Sequence, residues 1–199
     1  DGYSEKLDWV CENINDWKNF IYSDEFSLYP SIQFGLETAL LDLQYGGKKV
    51  IFPSRFTNGL DSIEINGLIW MGNYDYMSQQ IEGKIEAGYN CVKLKIGAID
   101  WEQEKDLLQK IRSKYSTEEI ELRVDANGAF NPSNVGVKLQ FLADLKIHSI
   151  EQPIMAGNIE EMTKLCSETP VPIALDEELI GIKNYDQKRE LLEKVKPQY

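Results

Sequence analysis

The chain has 199 residues, a formal net charge of −12 and a sequence isoelectric point of about 4.6. This surplus of acid argues against nucleic acid or an anionic membrane surface as the main partner. Its cysteines, Cys11, Cys91 and Cys166, have neither zinc-ligand nor disulfide-scaffold spacing. Neither a signal peptide nor an apolar run of about 20 residues is present, so we predict a cytoplasmic protein.

The first 60 residues predict helices. In "SEKLDWVCENINDWKNFIY", one helical stripe carries four apolar side chains, Leu7, Val10, Ile14 and Trp17. Pro30 and Ser31 open a second helix, "SIQFGLETALLDLQYG", which Gly46 and Gly47 close. A turn-rich stretch then runs to about Gly59, after which the pattern changes.

From residue 61 onward, short apolar runs alternate with amphipathic segments. The runs are "IEINGLIW", "CVKLKIG", "ELRVD", "HSIEQ" and "VPIALD". This alternation predicts parallel βαβ units, either in an open doubly wound sheet or in a closed (β/α)₈ barrel. No G-x-G-x-x-G turn is present, and functional side chains follow several successive strands. We therefore predict an α/β fold, a partial TIM-like barrel of about five βα units.

Strand parity separates the apolar from the charged residues of these runs. Side chains alternate between the two faces of a strand. In "CVKLKI" and "ELRVD" the apolar residues share one face, which a barrel packs against its helices, so the charged face would point inward. The charged side chains expected at one mouth of the barrel are Lys93, Lys95, Arg123, Asp125, Glu151 and Asp176.

Three of these charges are acids at the ends of successive strands. Asp125, Glu151 and Asp176 are 26 and 25 residues apart, one βα unit each. A single acid after a strand often only caps the next helix. Three in consecutive units, one unit after a K-x-K pattern, instead predict a site for a hard divalent cation such as Mg²⁺, or Mn²⁺ in its place.

The motifs "KLKIG", "RVDANGAF", "IEQP" and "ALDEEL", in this order, resemble the enolase superfamily. The K-x-K pattern resembles its muconate-cycloisomerase-like group. The segments "PSIQFGLETALLDL" and "INGLIWMG" resemble the o-succinylbenzoate synthases, which are dehydratases of menaquinone biosynthesis. The resemblance covers nearly the whole chain. It implies that residues 1–60 are the later part of a capping domain and residues 61–199 the first part of the barrel.

The resemblance also implies roles for individual residues. Lys95 matches the general acid/base, and Lys93 its companion, which lowers the proton affinity of Lys95 and stabilises the developing anion. The residues that match the family's Mg²⁺ ligands are Asp125, Glu151 and Asp176.

Four further polar residues lie close in sequence to the matched metal ligands. Asn127 matches the D-x-N position next to the metal, and Arg123 an arginine near the acid/base lysine. Glu177 and Glu178 favour the start of the next helix, and Glu178 alternatively lies behind the metal ligands.

Two parts of the family pattern are missing. The second lysine, at the end of the sixth strand, would lie beyond "KVKPQY", because Lys194 and Lys196 precede that strand. The start of the capping domain is also missing. We therefore expect a fragment without full activity, which self-associates through the open barrel edge or pairs with the missing portion.

Three functions are compatible with these residues. The first is dehydration, in which Lys95 removes the α proton of a cyclohexadiene carboxylate and then protonates the departing hydroxyl. The second is epimerisation of a dipeptide or racemisation of an N-acylamino acid by the same groups. The third is a non-catalytic fragment that binds metal. In the first two, the partner is a small-molecule carboxylate.

Overall fold

The amino-terminal part of the chain is helical. The structure, a computed structural model, describes residues 2–199. Its first helices are α1 (Gly2–Asn13), α2 (Trp17–Phe20) and α3 (Pro30–Gln44). They belong to a compact unit that ends at Glu64 and has four buried apolar side chains, Val10, Phe20, Ile21 and Phe26.

The predicted apolar stripe of the first helix is only partly buried. Val10 is 5% exposed, whereas Leu7 and Ile14 are 51% and 39% exposed. These side chains line an open apolar groove between α1 and α3, together with Ile32 and Leu36. Helical periodicity identified the apolar face, but it could not show that α3 covers only part of it.

A second unit, Ile65–Tyr199, contains five strands. They are β1 (Gly67–Ile69), β2 (Cys91–Lys95), β3 (Glu121–Asp125), β4 (Ser149–Glu151) and β5 (Ile173–Ala174). The sheet order is β1-β2-β3-β4-β5, and every neighbouring pair is parallel. A doubly wound sheet reverses its strand order at a switch point, whereas barrel strands follow chain order. The predicted α/β class with a partial barrel is confirmed.

Helices connect the strands. They are α4 (Tyr74–Glu86), α5 (Trp101–Lys114), α6 (Val135–Asp144) and α7 (Ile159–Glu168), and α8 (Tyr185–Val195) follows β5. Side-chain oxygens cap three of their amino termini: Asn73 accepts from Tyr76 N–H, Asp100 from Glu102 N–H and Asn184 from Gln187 N–H. Such caps satisfy backbone donors that have no partner inside the helix.

The predicted strand parity is present in the fold. The apolar face of β2 and β3 is fully buried, since Val92, Leu94, Leu122 and Val124 are at most 1% exposed. These side chains form one core with apolar residues of α4 to α7, among them Met77, Leu108, Leu142 and Met162. Lys93 and Lys95 occupy the opposite parity of β2. The apolar core therefore fixes the side of the sheet on which the charges lie.

Two further predictions concern the whole chain. In residues 2–199, no helix is both long enough and apolar enough to cross a membrane. Cys11 is exposed, Cys91 half-buried and Cys166 buried, and none of the three is in a disulfide. Burial raises the pKa of the Cys166 thiol to about 11, so this thiol is held in its unreactive protonated form.

Candidate active site

The charged residues form a row across the carboxyl ends of three strands. Lys95 of β2 lies opposite Asp125 of β3, and Asp125 lies opposite Glu151 of β4. Parallel neighbours in register place side chains of the same parity side by side. One end of the sheet therefore presents a base, an acid and a second acid in sequence.

Asp125 is the centre of this row. Its carboxylate is 2% exposed, and its Oδ2 accepts from Lys95 Nζ at 2.8 Å. Lys93 Nζ lies 3.5 Å from the same oxygen, and Oδ1 accepts from Asn127 N–H at 3.0 Å. A buried charge is tolerated only when it is paired and hydrogen-bonded, and Asp125 meets both conditions.

Lys93 joins the two acids. Its Nζ lies 2.5 Å from Glu151 Oε2, in addition to its contact with Asp125. Burial disfavours the charged form of Lys93, but the hydrogen bond and charge of Glu151 and then the charge of Asp125 outweigh burial, so the pKa of Lys93 is raised. Lys93 is therefore a fixed cation beside Lys95, as its predicted companion role requires.

Asn127 connects Lys95 to the loop after β5. Its Oδ1 accepts from Lys95 Nζ at 2.8 Å, and its Nδ2 donates to Glu177 Oε1 at 2.9 Å. The φ of Asn127 is +43°, a left-handed conformation that asparagine tolerates better than most residues. Because the Glu177 carboxylate only accepts hydrogen bonds, it fixes which end of the amide faces Lys95.

The side chain of Gln152 fixes the backbone of the loop after β5. This side chain is fully buried, and its Oε1 accepts from the N–H groups of Asp176 and Glu178 at 3.3 Å. The Glu178 carboxylate is also buried and accepts from Gly157 N–H at 3.0 Å. Asp176 itself is exposed, so its backbone is fixed while its carboxylate faces solvent.

The structure brings together two of the three predicted metal ligands. Asp125 and Glu151 converge on the Lys93 ammonium, whereas Asp176 stands apart from them. Within residues 2–199, no three acidic, histidine or cysteine side chains are close enough to share one ion. The chemistry of the donors still fits Mg²⁺, which prefers carboxylate oxygens. A buried oxygen nearby, Oε2 of Glu177, has no hydrogen-bond partner in the described chain.

Arg123 lies one layer below the row. Its guanidinium contacts Glu121 Oε1 at 2.6 Å, and no contact with Lys95 is recorded among residues 2–199. Arg123 and Glu121 lie two positions apart on β3 and therefore have the same parity, so their side chains meet along the strand. Sequence parity correctly placed Arg123 on the inner face, but it could not show whether the side chain reaches up or down.

Trp70 borders the row on the β1 side. Lys95 Nζ lies 5.5 Å from the centre of its ring, within cation–π range. The Trp70 backbone is fixed by the Gln80 amide, which accepts from its N–H at 3.0 Å and donates to its carbonyl at 2.9 Å. The ring is 52% exposed, so Trp70 lies at the edge of the charged row and not in the apolar core.

Sequence reasoning missed three polar residues that hold this site. The carboxylate of Glu104 is only 2% exposed and binds three backbone N–H groups next to Lys95. The other two are Gln152 and Glu177; the sequence placed Glu177 at a helix start but did not indicate its contact with Asn127. One available signal was a glutamine inside the apolar context of "IEQPI", since a buried amide needs partners. A comparable signal for Glu104 is absent, because it resembles any other acid in a first helical turn.

A family profile described as "Enolase C-terminal domain-like" matches residues 76–193. The chain belongs to this family. The match covers most of α4 and all five elements from β2 to β4 that position the row, and it extends through β5 and most of α8. The predicted membership of the enolase superfamily is confirmed.

Known members of the enolase family resemble this chain to different degrees. An o-succinylbenzoate synthase from Desulfotalea psychrophila is 50% identical over 171 residues, 86% of this chain and 46% of the relative. The crystal structure of MenC from Desulfotalea psychrophila LSv54 has a TM-score of 0.70 and 38% identity, covering 96% of this chain and 57% of that one. An N-succinyl-L-Arg/Lys racemase from Bacillus cereus is 26% identical over 82% of this chain and 43% of the relative. The chain thus spans about half the length of these two curated relatives.

Proposed function

We propose that the protein containing this chain is an o-succinylbenzoate synthase, a magnesium-dependent lyase of menaquinone biosynthesis. It dehydrates 2-succinyl-6-hydroxy-2,4-cyclohexadiene-1-carboxylate. The observation that carries this proposal is the row of Lys95, Asp125 and Glu151, in a chain with such extensive identity to an o-succinylbenzoate synthase.

In this proposal Lys95 transfers the proton. As a neutral amine it removes the proton α to the substrate carboxylate, and as an ammonium it returns that proton to the departing hydroxyl. One water molecule leaves and the ring becomes aromatic. Asp125 and Asn127 hold Nζ at 2.8 Å each, so the amine is kept in one place before and after transfer. Lys93 supplies a fixed positive charge beside it.

The acids at the strand ends are proposed as the metal ligands. Asp125, Glu151 and Asp176 would hold Mg²⁺ through carboxylate oxygens. When bound, the ion neutralises the negative charge that develops on the substrate carboxylate. Gln152 keeps the Asp176 backbone next to the strand ends, from which its side chain can turn inward.

Racemisation of an N-succinylamino acid is a second candidate. The similarity to the Bacillus cereus racemase favours it, and it needs the same proton transfer at a carbon α to a carboxylate. The identity to the racemase is about half the identity to the synthase, so dehydration is the first proposal.

The test is turnover by the intact gene product that contains residues 1–199. With Mg²⁺ present, we expect loss of the cyclohexadiene absorbance and appearance of o-succinylbenzoate. Lys95→Ala should lower kcat by about 10²- to 10⁴-fold, the usual range for a general acid/base. The matched control is Lys105→Ala, which removes a lysine from the outer helix α5.

The outcomes separate the candidates. A Lys95→Ala variant as active as wild type would show that the base is another residue. Change of optical rotation of an N-succinylamino acid, with no dehydration, would establish the racemase. If neither substrate reacts while Mg²⁺ still binds by calorimetry, the non-catalytic metal-binding role is supported.

We also propose that the protein is cytoplasmic and that the 199-residue chain self-associates through an edge of its sheet. Within the described chain, β1 and β5 each pair with one strand only. At the outer edge of β5, Ile173 is already hydrogen-bonded to Gln198 and Tyr199. The proposed contact is therefore at the edge of β1, since an unpaired strand edge can accept another chain. Light scattering of the purified 199-residue chain tests this. A monomer at all concentrations would contradict self-association through the sheet edge.

A further inference from the structure

The chain leaves the sheet directly after Lys95. The Ile96 N–H still donates to the backbone oxygen of Asp125 on β3, at 2.8 Å. The next three N–H groups, those of residues 97–99, lie beyond the strand. All three donate to one oxygen, Oε1 of Glu104, at 2.6, 3.2 and 3.4 Å. The carboxylate thus continues the backbone pairing where the neighbouring strand no longer supplies acceptors.

Glu104 is an unusual residue for the first turn of a helix. It is 2% exposed, and its second oxygen, Oε2, is buried without a hydrogen-bond partner among residues 2–199. A buried carboxylate is costly unless strong hydrogen bonds compensate it. The three converging N–H groups offset part of this cost, and the side chain contacts the loop and not solvent.

The same loop packs on the next loop of the site. Gly97 has φ +91°, and a Cβ there would lie 2.4 Å from the Cβ of Ala129. Ala129 follows Asn127 by two residues in the loop after β3, and its N–H donates to Ala126 O. Any outward shift of residues 97–99 therefore changes the spacing between the Lys95 strand end and the loop that carries Asn127.

We propose that Glu104 is a positioning residue that fixes Lys95 Nζ in reach of Asp125 and Asn127. It does so by holding the loop 97–99 against the end of β2. The inference rests on the proposed function only in taking Lys95 as the proton-transferring group. A displacement of about 1 Å at a reacting group can cost 10²-fold in rate, so such a hold has catalytic consequences although Glu104 touches no reacting atom.

The first test is steady-state kinetics of the intact gene product. Glu104→Ala, which removes all three acceptor contacts, should lower kcat by about 10- to 100-fold with KM within about threefold. Glu104→Gln keeps an acceptor oxygen and should recover most of kcat. The control is Glu102→Ala in the same helical turn, since its side chain is 75% exposed and pairs only with Lys105. Wild-type kcat in a folded, merely less stable Glu104→Ala would overturn the proposal.

The second test does not depend on turnover. Amide hydrogen exchange at residues 97–99 should be about tenfold faster or more in Glu104→Ala, because all three N–H groups lose their common acceptor. Acetylation of Lys95, followed by mass spectrometry, should also become faster than in wild type and in Glu102→Ala.

These readouts separate the two proposals. If wild type forms no o-succinylbenzoate while Glu104→Ala changes Lys95 acetylation, the proposed function fails and the positioning role stands. If wild type is active and Glu104→Ala leaves both kcat and Lys95 acetylation unchanged, the positioning role fails and the proposed function stands.

Discussion

The inner face of the sheet carries charges at both ends of β3, and the two ends are built differently. At the carboxyl end, Asp125 is 2% exposed and two lysines converge on one of its oxygens. At the amino end, Glu121 and Arg123 form an ion pair with side chains 36% and 43% exposed, and His148 Nε2 lies 3.9 Å from Glu121 Oε2. Buried, shared charges are typical of sites where chemistry occurs, whereas exposed pairs contribute little. The contrast favours the carboxyl end of β3 as the place of the proposed chemistry.

The charged side chains at the amino end of β3 are paired with neighbouring side chains. Burial opposes ionisation of Glu121, but the hydrogen bond from Arg123 and the nearby His148 outweigh burial, so the pKa of Glu121 is lowered. His148 Nε2 lies 3.2 Å from the Tyr199 hydroxyl. This end therefore needs no ligand to complete its pairing. At the other end, Oε2 of Glu177 still lacks a partner in the described residues.

A substitution that removes the charge of Asp125, at the carboxyl end of β3, should have the largest effect. Asp125→Asn removes the charge that Lys93 and Lys95 share, so both ammonium groups lose their common partner. We expect kcat/KM for dehydration to fall by about 10²- to 10³-fold, the range for loss of one electrostatic contact in a preorganised site. Circular dichroism should show a folded protein. Activity within threefold of wild type would contradict the central place of Asp125.

A substitution on the outer face of the same strand should act on stability alone. Leu122→Ala creates a cavity where the side chain is fully buried, and should lower the free energy of unfolding by about 2–5 kcal/mol. Urea denaturation measures this change. The folded fraction should retain its kcat, because Leu122 points away from the charged row. Leu7→Ala, at a 51% exposed position, is the matched control and should change stability little.

Breaking the amino end should have a smaller effect. Arg123→Ala removes a partly exposed ion pair, so we expect a stability loss of less than about 1 kcal/mol. The pKa of Glu121 should rise, because the hydrogen bond that lowers it is gone. Kinetics should stay close to wild type. A tenfold drop in kcat would instead place Arg123 beside Lys95, as the sequence resemblance implies.

The smallest expected effect is a pH dependence of the protein's stability that arises from the buried carboxyl group of Glu104. Burial raises the pKa of Glu104, and this outweighs the opposing hydrogen bonds from residues 97–99 and the charge of Lys138. Its folded form therefore holds a proton more tightly than its unfolded form, and stability from this group is lost as pH rises from the unfolded pKa through the folded one.

Glu104→Gln does not titrate, so it supplies the reference for this pH dependence. The stability of wild type relative to Glu104→Gln should fall across that pH window, measured by thermal melts between about pH 4 and pH 7. A difference that does not change with pH would contradict the raised pKa.

Strand parity was predictable because it depends on local alternation, which the apolar core enforces. Val92, Leu94, Leu122 and Val124 left the charges only one face to occupy. The register of Lys95 with Asp125 and Glu151 followed from their positions at the ends of successive predicted strands. Both features depend on the pattern within short segments of sequence, so they could be predicted without a structure.

The supporting contacts were not predictable in the same way. Asn127 meets Glu177 across 50 residues, and Glu104 meets backbone N–H groups that carry no sequence signal. Side-chain direction also escaped prediction, since parity cannot tell that Arg123 turns toward Glu121. These contacts depend on loop conformation and rotamers, which are set by tertiary packing and not by local propensity.

The row of in-register charges has a consequence for folding. Side chains on a strand have a period of two, so a slip of β3 by one residue would turn Arg123 and Asp125 into the layer packed by the helices. Each misplaced charge would lose its partners in an apolar environment, at a cost of several kcal/mol. A slipped register is therefore disfavoured, and the charged residues of β3 also help to specify one alignment of the sheet.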